Sequence, residues 1–149
     1  MTILLFFGVL FVLILVHEWG HFITAKKTGM RVDEFGIGFP PKPFGIRRGE
    51  TEYTFNLLPI GGFVKIFGED AAGAAGAADY ERSFIARPKW AQAIVLVAGV
   101  TMNILFAWFL FAVVLIMGIP TAVDESSASD AATLVIADVM EESPAALAG

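Results

Sequence analysis

The sequence HEWGHF at residues 17–22 directly follows ILLFFGVLFVLILV at residues 3–16, a stretch that contains no polar side chain. About 20 apolar residues span a bilayer, so together the two stretches predict a membrane helix from about Thr2 to Ala25, ended by two lysines. A signal peptide would instead begin with basic residues and end in a small-residue cleavage site. Ionisable side chains within an apolar helix are costly and functional by default, so the same residues predict where the chemistry lies.

A second apolar segment covers residues 90–119, and no charged residue occurs from 90 to 123. Hydrophobic residues make up 56% of the 149 residues and charged ones only 17%, whereas a soluble domain is usually about half apolar and about a quarter charged. Two membrane spans with extramembrane segments are therefore predicted, which excludes a soluble enzyme, a nucleic-acid-binding protein and a disordered chain. The absence of cysteine excludes disulfides and thiolate metal ligands.

The basic residues are confined to the middle of the chain. All ten Lys and Arg lie between Lys26 and Lys89, and the tail from Asp124 onward has six acids and no base. Because basic loops stay on the cytoplasmic side of a membrane, we expect residues 26–89 to be cytoplasmic. The N-terminus and the C-terminal segment are then extracytoplasmic.

The segment between the predicted helices has the pattern of strands. Apolar residues alternate with polar or glycine residues at 34–39 and 52–57, and GFVKIF at 62–67 predicts a further strand after a Pro-Ile-Gly-Gly bend. Arg-Arg-Gly-Glu at 47–50 predicts a hairpin turn. We therefore predict a small antiparallel sheet of three or four strands, and its many aromatic residues indicate partial burial in the membrane.

These patterns give an order of segments along the chain. They are the first transmembrane helix at 1–25, a membrane-associated sheet at 26–70, a linker and interfacial segment at 71–89, the second transmembrane helix at 90–119, a polar linker at 120–132 and the beginning of a further domain at 133–149. The last segment has a candidate strand and the start of a helix, and no module ends at Gly149. We therefore expect the chain to be a fragment of a longer protein.

His17, Glu18 and His21 form the pattern H-E-x-x-H. A spacing of four residues places both imidazoles on one face of a helix, where they can bind one zinc ion. Glu18 lies about 100° around the helix, close enough to take a proton from a water that the metal activates and to return it to a leaving amine. The alternatives are a pair of core histidines beside an accidental glutamate, or haem ligation by one histidine. The position of the motif inside an apolar helix, roughly 10 Å from Lys26, favours the zinc site.

The predicted metal site is incomplete in this chain. A catalytic zinc ion normally has three protein ligands and an open position. The chain has no third histidine, and the second apolar segment has no carboxylate. An acid such as Glu34 or Glu50 could reach the metal, but we expect the third ligand to lie beyond Gly149.

The combination of motifs resembles the site-2 proteases, the bacterial membrane-embedded zinc metalloproteases that carry PDZ domains. The resemblance covers essentially the whole chain. The segments that carry it are HEWGHF at 17–22, FGIGF at 35–39, TEYTFNLLPIGGFVKIFGE at 51–69, RSFIARPKW at 82–90, AGVTMN at 98–103 and SPAALAG at 143–149. One departure is Val100, which stands where the family usually has a proline before its asparagine.

The resemblance implies a fold and a set of roles. It implies an α-helical membrane protein of the bacterial inner membrane, with two transmembrane helices that flank a cytoplasmic-side antiparallel β-loop and with the start of an extracytoplasmic PDZ domain at 133–149. It implies Zn²⁺ held by His17 and His21, Glu18 as catalytic acid and base, and an aspartate of a later helix as third ligand. The implied substrates are transmembrane proteins or peptides, such as anti-sigma-factor-like regulators or signal-peptide remnants.

The predicted sheet has two interpretations. Hydrolysis within a transmembrane helix requires unwinding, which frees backbone groups at a cost of several kcal/mol each. An exposed strand could pair with the extended substrate and offset that cost, whereas the alternative is a cap that only seals the metal site. For substrate binding, with strand addition expected at Tyr53–Leu57, the candidate residues are Tyr53, Thr54, Phe55, Asn56, Gly61, Gly62 and Asn103. The alternative for Asn103 is helix packing.

Two functions of other classes remain open from the sequence. One is a catalytically inactive membrane scaffold or PDZ adaptor, and the other is a metal or haem transport protein. The intact H-E-x-x-H pattern favours the protease. Because the third ligand is expected elsewhere, we expect these 149 residues alone to be inactive.

Overall fold

The computed structural model describes residues 1–70, 76 and 78–118. The predictions of a linker at 71–78, of a polar linker at 120–132 and of a PDZ domain at 133–149 therefore lie wholly or largely outside the described residues.

Two long helices contain the apolar segments. Helix α1 covers Thr2–Lys27 and helix α2 covers Lys89–Met117, close to the predicted bounds. Both are long and apolar enough to cross a membrane. Most of their large apolar side chains are exposed, as expected of helices that face lipid. Two basic residues occupy the last turn of α1, where they interact favourably with the helix dipole.

Four strands follow α1 and form one sheet. The strands are β1 (Val32–Phe39), β2 (Phe44–Arg48), β3 (Thr51–Phe55) and β4 (Leu58–Ile66). Their order in the sheet is β2-β3-β1-β4. Strands β2 and β3 form the hairpin that the turn residues at 47–50 predict, and β4 pairs antiparallel with β1.

The prediction of a purely antiparallel sheet is wrong, because β1 and β3 run parallel, with Phe35 opposite Tyr53. The sequence pattern suggested that the strands on either side of the turn at 47–50 were 34–39 and 52–57. Strand β2, which alternation did not reveal, is instead the hairpin partner of β3. Strand β1 therefore pairs with the other edge of β3, and the two strands run in the same direction.

The sheet leaves two strand edges unpaired within the described residues, one on β2 and one on β4. In β4, the register with β1 shifts between Ile37, which lies opposite Gly62, and Phe39, which lies opposite Leu58. This bulge falls where the sequence predicted a bend, and Gly61 adopts φ 101° there, a backbone conformation that glycine tolerates best. Bulges of this kind often re-aim a strand next to an active site.

The buried core lies where the end of α1 meets the sheet. It comprises Phe22, Ala25, Met30, Val32, Phe35, Ile66, Ala91 and Val95. Phe22 and Phe35 meet edge to face with ring centroids 5.2 Å apart, and Tyr53 packs against both rings. The core therefore fixes β1, β4 and the start of α2 against the last two turns of α1.

Glu50, in the turn between β2 and β3, ties that turn to two other segments. Its carboxylate accepts hydrogen bonds from Lys26 at 2.6 Å and from Arg82, in the 3₁₀ helix Tyr80–Arg82, at 2.9 Å. These bonds, first that of Arg82 and then that of Lys26, lower the pKa of Glu50 to about 2. The end of α1, the hairpin and the segment before α2 are thus joined by one charged cluster.

Candidate metal centre

The two long helices approach each other closely at the H-E-x-x-H motif. Gly20 of α1 is buried against α2, and a Cβ atom there would lie 2.6 Å from the Ala98 carbonyl oxygen and 2.7 Å from Met102 Cγ. Only a residue without a side chain allows this approach, as is usual where membrane helices pack. Gly20 therefore brings the backbone of α2 next to the motif.

The two imidazoles lie side by side on the face of α1 that meets α2. The His17 Nε2 and His21 Nε2 atoms are 3.1 Å apart, and both rings are half-buried. Two nitrogens bound tetrahedrally at 2.0–2.1 Å from one zinc ion would be about 3.3 Å apart. The observed spacing therefore fits two ligands of a single metal ion.

Gly99 of α2 lies directly opposite this pair of nitrogens. A Cβ atom at Gly99 would be 2.5 Å from both His17 Nε2 and His21 Nε2. The absence of a side chain at this one position leaves the space in front of both lone pairs open. A metal ion fits this space, which the side chain of any residue larger than glycine would fill.

His21 is held in one tautomer by the backbone of α2. Its Nδ1 is 2.7 Å from the Val95 carbonyl oxygen. A carbonyl can only accept, so Nδ1 carries the proton and Nε2 presents a lone pair. Metal-binding histidines usually donate their second N–H in this way.

His17 has a different neighbour on α2. The Asn103 Nδ2 atom is 3.4 Å from His17 Nδ1, and Asn103 Oδ1 is buried with no hydrogen-bond partner among the described residues. The structure therefore places Asn103, a substrate-binding candidate from the sequence, beside the H-E-x-x-H motif. Its contact is with a metal-ligand candidate.

Glu18 lies against strand β4 of the sheet. A Cβ atom at Gly62 of β4 would be 3.6 Å from Glu18 Cγ. The half-buried Glu18 shares a cavity of about 250 Å³ with His21, Val64 and the exposed Glu69. This cavity is large enough for several waters. It joins the carboxylate to one ligand candidate and to the exposed end of the sheet.

Both carboxylates considered as a third ligand have other partners in the structure. Glu34 accepts the Thr54 hydroxyl at 2.7 Å, and Glu50 is engaged by Lys26 and Arg82. Within the described part of the chain, no group of three His, Asp or Glu residues could hold a metal. Neither Glu34 nor Glu50 therefore forms such a group with His17 and His21 among the described residues, and a third ligand beyond Gly149 stays a prediction.

The predicted substrate-binding residues fall into two groups. Gly62 and Asn103 lie beside the motif, against Glu18 and His17 respectively. The others lie elsewhere in the sheet: Tyr53 packs in the aromatic core, Thr54 is buried, Phe55 is exposed, Asn56 bonds the Gly38 carbonyl and Gly61 packs against Phe39.

Strand addition at Tyr53–Leu57 is contradicted by the sheet topology. Strand β3 lies between β2 and β1, so both of its edges are paired. The next two N–H groups are also used, since Asn56 donates to the Ile37 carbonyl and Leu57 donates to the Pro41 carbonyl. A substrate strand would need the unpaired edge of β2 or β4 instead.

Several residues of the site were not found from the sequence. Gly20 is recognisable only once the two helices are in contact, whereas the sequence marks Gly99 only as sharing a helix face with Asn103, four residues away, and not as facing the histidines. The Val95 carbonyl and Val64 carry no side-chain signal. Glu69 lies at the end of a predicted strand, and nothing in its neighbours marks it as near Glu18.

Comparison with known proteins gives concordant matches. The family model described as "Peptidase family M50" matches residues 5–145. A protein of Clostridium perfringens named "Putative zinc metalloprotease" is 48% identical over 99 residues, which are 66% of this chain and 28% of that protein. "Zinc metalloprotease RasP" of Oceanobacillus iheyensis is 52% identical over 69 residues, 46% of this chain and 16% of that protein. The matched region thus spans less than a third of the length of either relative.

Proposed function

The chain belongs to peptidase family M50, and we propose that it forms part of a zinc metalloendopeptidase that cleaves membrane proteins within or near their transmembrane segments. The observation that carries this proposal is the pair of Nε2 atoms 3.1 Å apart in front of Gly99, with Glu18 on the same helix turn. The names of these relatives, both called zinc metalloproteases, support zinc as the metal. The two apolar helices support a location in the membrane.

The residues of the chain divide the chemistry between them. His17 and His21 would hold zinc, which when bound supplies a Lewis acid that polarises the scissile carbonyl and makes water more acidic. The Glu18 carboxylate would accept a proton from the attacking water and donate it to the nitrogen of the leaving amine. The cavity shared by Glu18 and Glu69 would admit that water from the end of the sheet that is exposed.

The free edge of β4 is the better candidate for binding an unwound substrate. Successive N–H groups of a strand point to opposite edges. The Phe67 N–H donates to the Arg31 carbonyl at 2.8 Å, on the β1 side, so the N–H groups of Lys65 and Phe63 point the same way. The Val64 N–H then points away from β1 toward the Glu18 carboxylate, and Val64 lines the cavity of Glu18. A substrate strand paired there would lie beside the catalytic carboxylate.

We infer the orientation of the chain in the membrane from its distribution of basic residues, and its partners from the chemistry of the proposed site. The confinement of all Lys and Arg to 26–89 supports a cytoplasmic sheet in a bacterial inner membrane protein. The substrates we propose are transmembrane proteins or peptides, either anti-sigma-factor-like regulators or signal-peptide remnants, and the lipid bilayer surrounds both apolar helices. The segment at 133–149 is proposed as the start of an extracytoplasmic PDZ domain.

The proposal is tested with the longer protein that carries this chain, purified in detergent with a fluorogenic transmembrane peptide. Glu18→Gln removes the proton acceptor and keeps the size of the side chain. We expect it to retain zinc and to lower kcat by about 10²–10⁴-fold. Glu81→Gln, at an exposed position of the 3₁₀ helix, is the matched control and should cleave normally.

Two outcomes would contradict the proposal. Normal cleavage by Glu18→Gln would exclude its catalytic role. A wild-type protein that binds zinc but cleaves no transmembrane peptide, under conditions where its zinc is fully bound, would favour the membrane scaffold over the protease.

A further inference from the structure

Asn103 is a half-buried polar residue of α2 whose Oδ1 atom is buried, and the proposed mechanism assigns it no role. It lies four residues after Gly99, so both face the imidazoles of α1. Its amide is 3.4 Å from His17 Nδ1, and one end of that amide has no partner among the described residues. A buried amide in an apolar helix is costly without hydrogen bonds, so a specific function is expected of it.

The proton positions on the two histidines limit what that function can be. His21 donates its Nδ1–H to the Val95 carbonyl and therefore presents a lone pair at Nε2. A metal shared by both Nε2 atoms requires a lone pair on His17 Nε2 as well. A neutral His17 must then carry its proton on Nδ1, and the atom facing Nδ1 must be an acceptor.

Asn103 can supply that acceptor without any movement of the backbone. In the structure, the NH₂ group of Asn103 faces His17 Nδ1. This arrangement suits a His17 that carries its proton on Nε2, which lies 3.1 Å from His21 Nε2. The two ends of an amide have nearly the same shape, and a half-turn exchanges them. That half-turn brings Oδ1 against the Nδ1–H and moves the NH₂ group to the place that Oδ1 leaves.

We propose that Asn103 is a positioning residue for His17: its Oδ1 accepts the His17 Nδ1–H and thereby holds Nε2 unprotonated toward the metal. The inference rests on the proposed metal site. It makes the two ligand candidates alike, since each has its second nitrogen bonded to an oxygen of α2, one from the backbone at Val95 and one from a side chain. Helix α2 then sets the tautomer of both histidines of α1.

The test measures zinc affinity, by competition with a chromophoric chelator, on the full-length protein in detergent. Asn103→Leu keeps the approximate volume and removes the acceptor. We expect it to weaken zinc binding by about 10–100-fold, the usual effect of losing a partner of a metal-binding histidine. Asn103→Asp restores an acceptor and should bind zinc within about fivefold of the wild type. Thr101→Val is the matched control, since the exposed Thr101 hydroxyl bonds only its own helix at Val97.

The outcomes separate this inference from the metal site itself. Unchanged affinity in Asn103→Leu, with His17→Ala losing zinc, would overturn the role of Asn103 and leave the proposed site intact. Equal weakening in Asn103→Leu and Asn103→Asp would also overturn it, because packing and not the acceptor would then matter. Unchanged affinity in His17→Ala would overturn the metal site on which the inference depends.

Discussion

Gly99→Ala is the sharpest test of the metal centre, because one methyl group would meet both ligand candidates. The added Cβ would lie 2.5 Å from His17 Nε2 and 2.5 Å from His21 Nε2, whereas non-bonded heavy atoms prefer a separation of about 3.5 Å. Each ring, or the helix that carries Gly99, would therefore have to move by about 1 Å. Ligands must be held to within about 0.5 Å of their working geometry.

We expect Gly99→Ala to weaken zinc binding by at least about tenfold and to reduce cleavage by about 10²-fold. The measurements are chelator competition for zinc and initial rates with a fluorogenic transmembrane peptide. Gly8→Ala is the matched control, because nothing lies within 4 Å of a Cβ there and alanine suits a helix better than glycine. If Gly99→Ala bound zinc as tightly as the wild type, the imidazoles would not share the space in front of Gly99.

Three further predictions address the sheet, the charged cluster and the orientation. Val64→Pro should reduce cleavage, because it removes the N–H that faces the Glu18 carboxylate, and should spare thermal stability, because that N–H bonds no neighbouring strand. Lys65→Pro should instead lower the melting temperature, and equal stability of both variants would contradict the assigned edge. Glu50→Gln should lower the melting temperature at pH 7. Folding depresses the pKa of Glu50 to about 2, so the contribution of its charge to the free energy of unfolding is complete above about pH 4.5 and is lost as the pH falls through about 2. The difference in melting temperature from the wild type should therefore vanish at about pH 2. A cysteine that replaces Thr2 should react with an impermeant reagent in intact cells, whereas a cysteine that replaces the exposed Arg48 should react only after permeabilisation. The reverse result would contradict the predicted topology.

The helices and the motif could be predicted from the sequence because their signals are local. An uninterrupted apolar run fixes a membrane helix by length alone, and a spacing of four residues fixes which side chains share a face. His17, Glu18 and His21 therefore lie where the sequence predicted, and α1 and α2 end within two residues of their predicted bounds.

The sheet topology could not be predicted because pairing between strands is not local. Alternation identifies a strand and says nothing about which neighbour it takes. Strand β2 alternates only over the four residues 44–47, just after three prolines at 40, 41 and 43, and all five of its residues are exposed. Without β2, the strands β1 and β3 looked like the two arms of one hairpin, and the parallel pairing was missed.

The contacts of α2 with the motif were missed for a related reason. A glycine or a backbone carbonyl has no side chain whose chemistry would mark it, so Gly99 and Val95 gain their importance only from the close packing at Gly20. Asn103 was noticed because an amide in an apolar helix needs a partner, but which partner depends on that same packing.

The hydrogen bond between His21 and Val95 joins residues that are 74 positions apart in the chain. During synthesis at about 5–20 residues per second, α1 is made roughly 4–15 s before its partners on α2. The three ionisable side chains of the motif thus enter the membrane before the groups that orient them exist. If the proposed function holds, the newly made chain therefore passes through an interval in which it has the H-E-x-x-H motif without the groups of α2 that orient it.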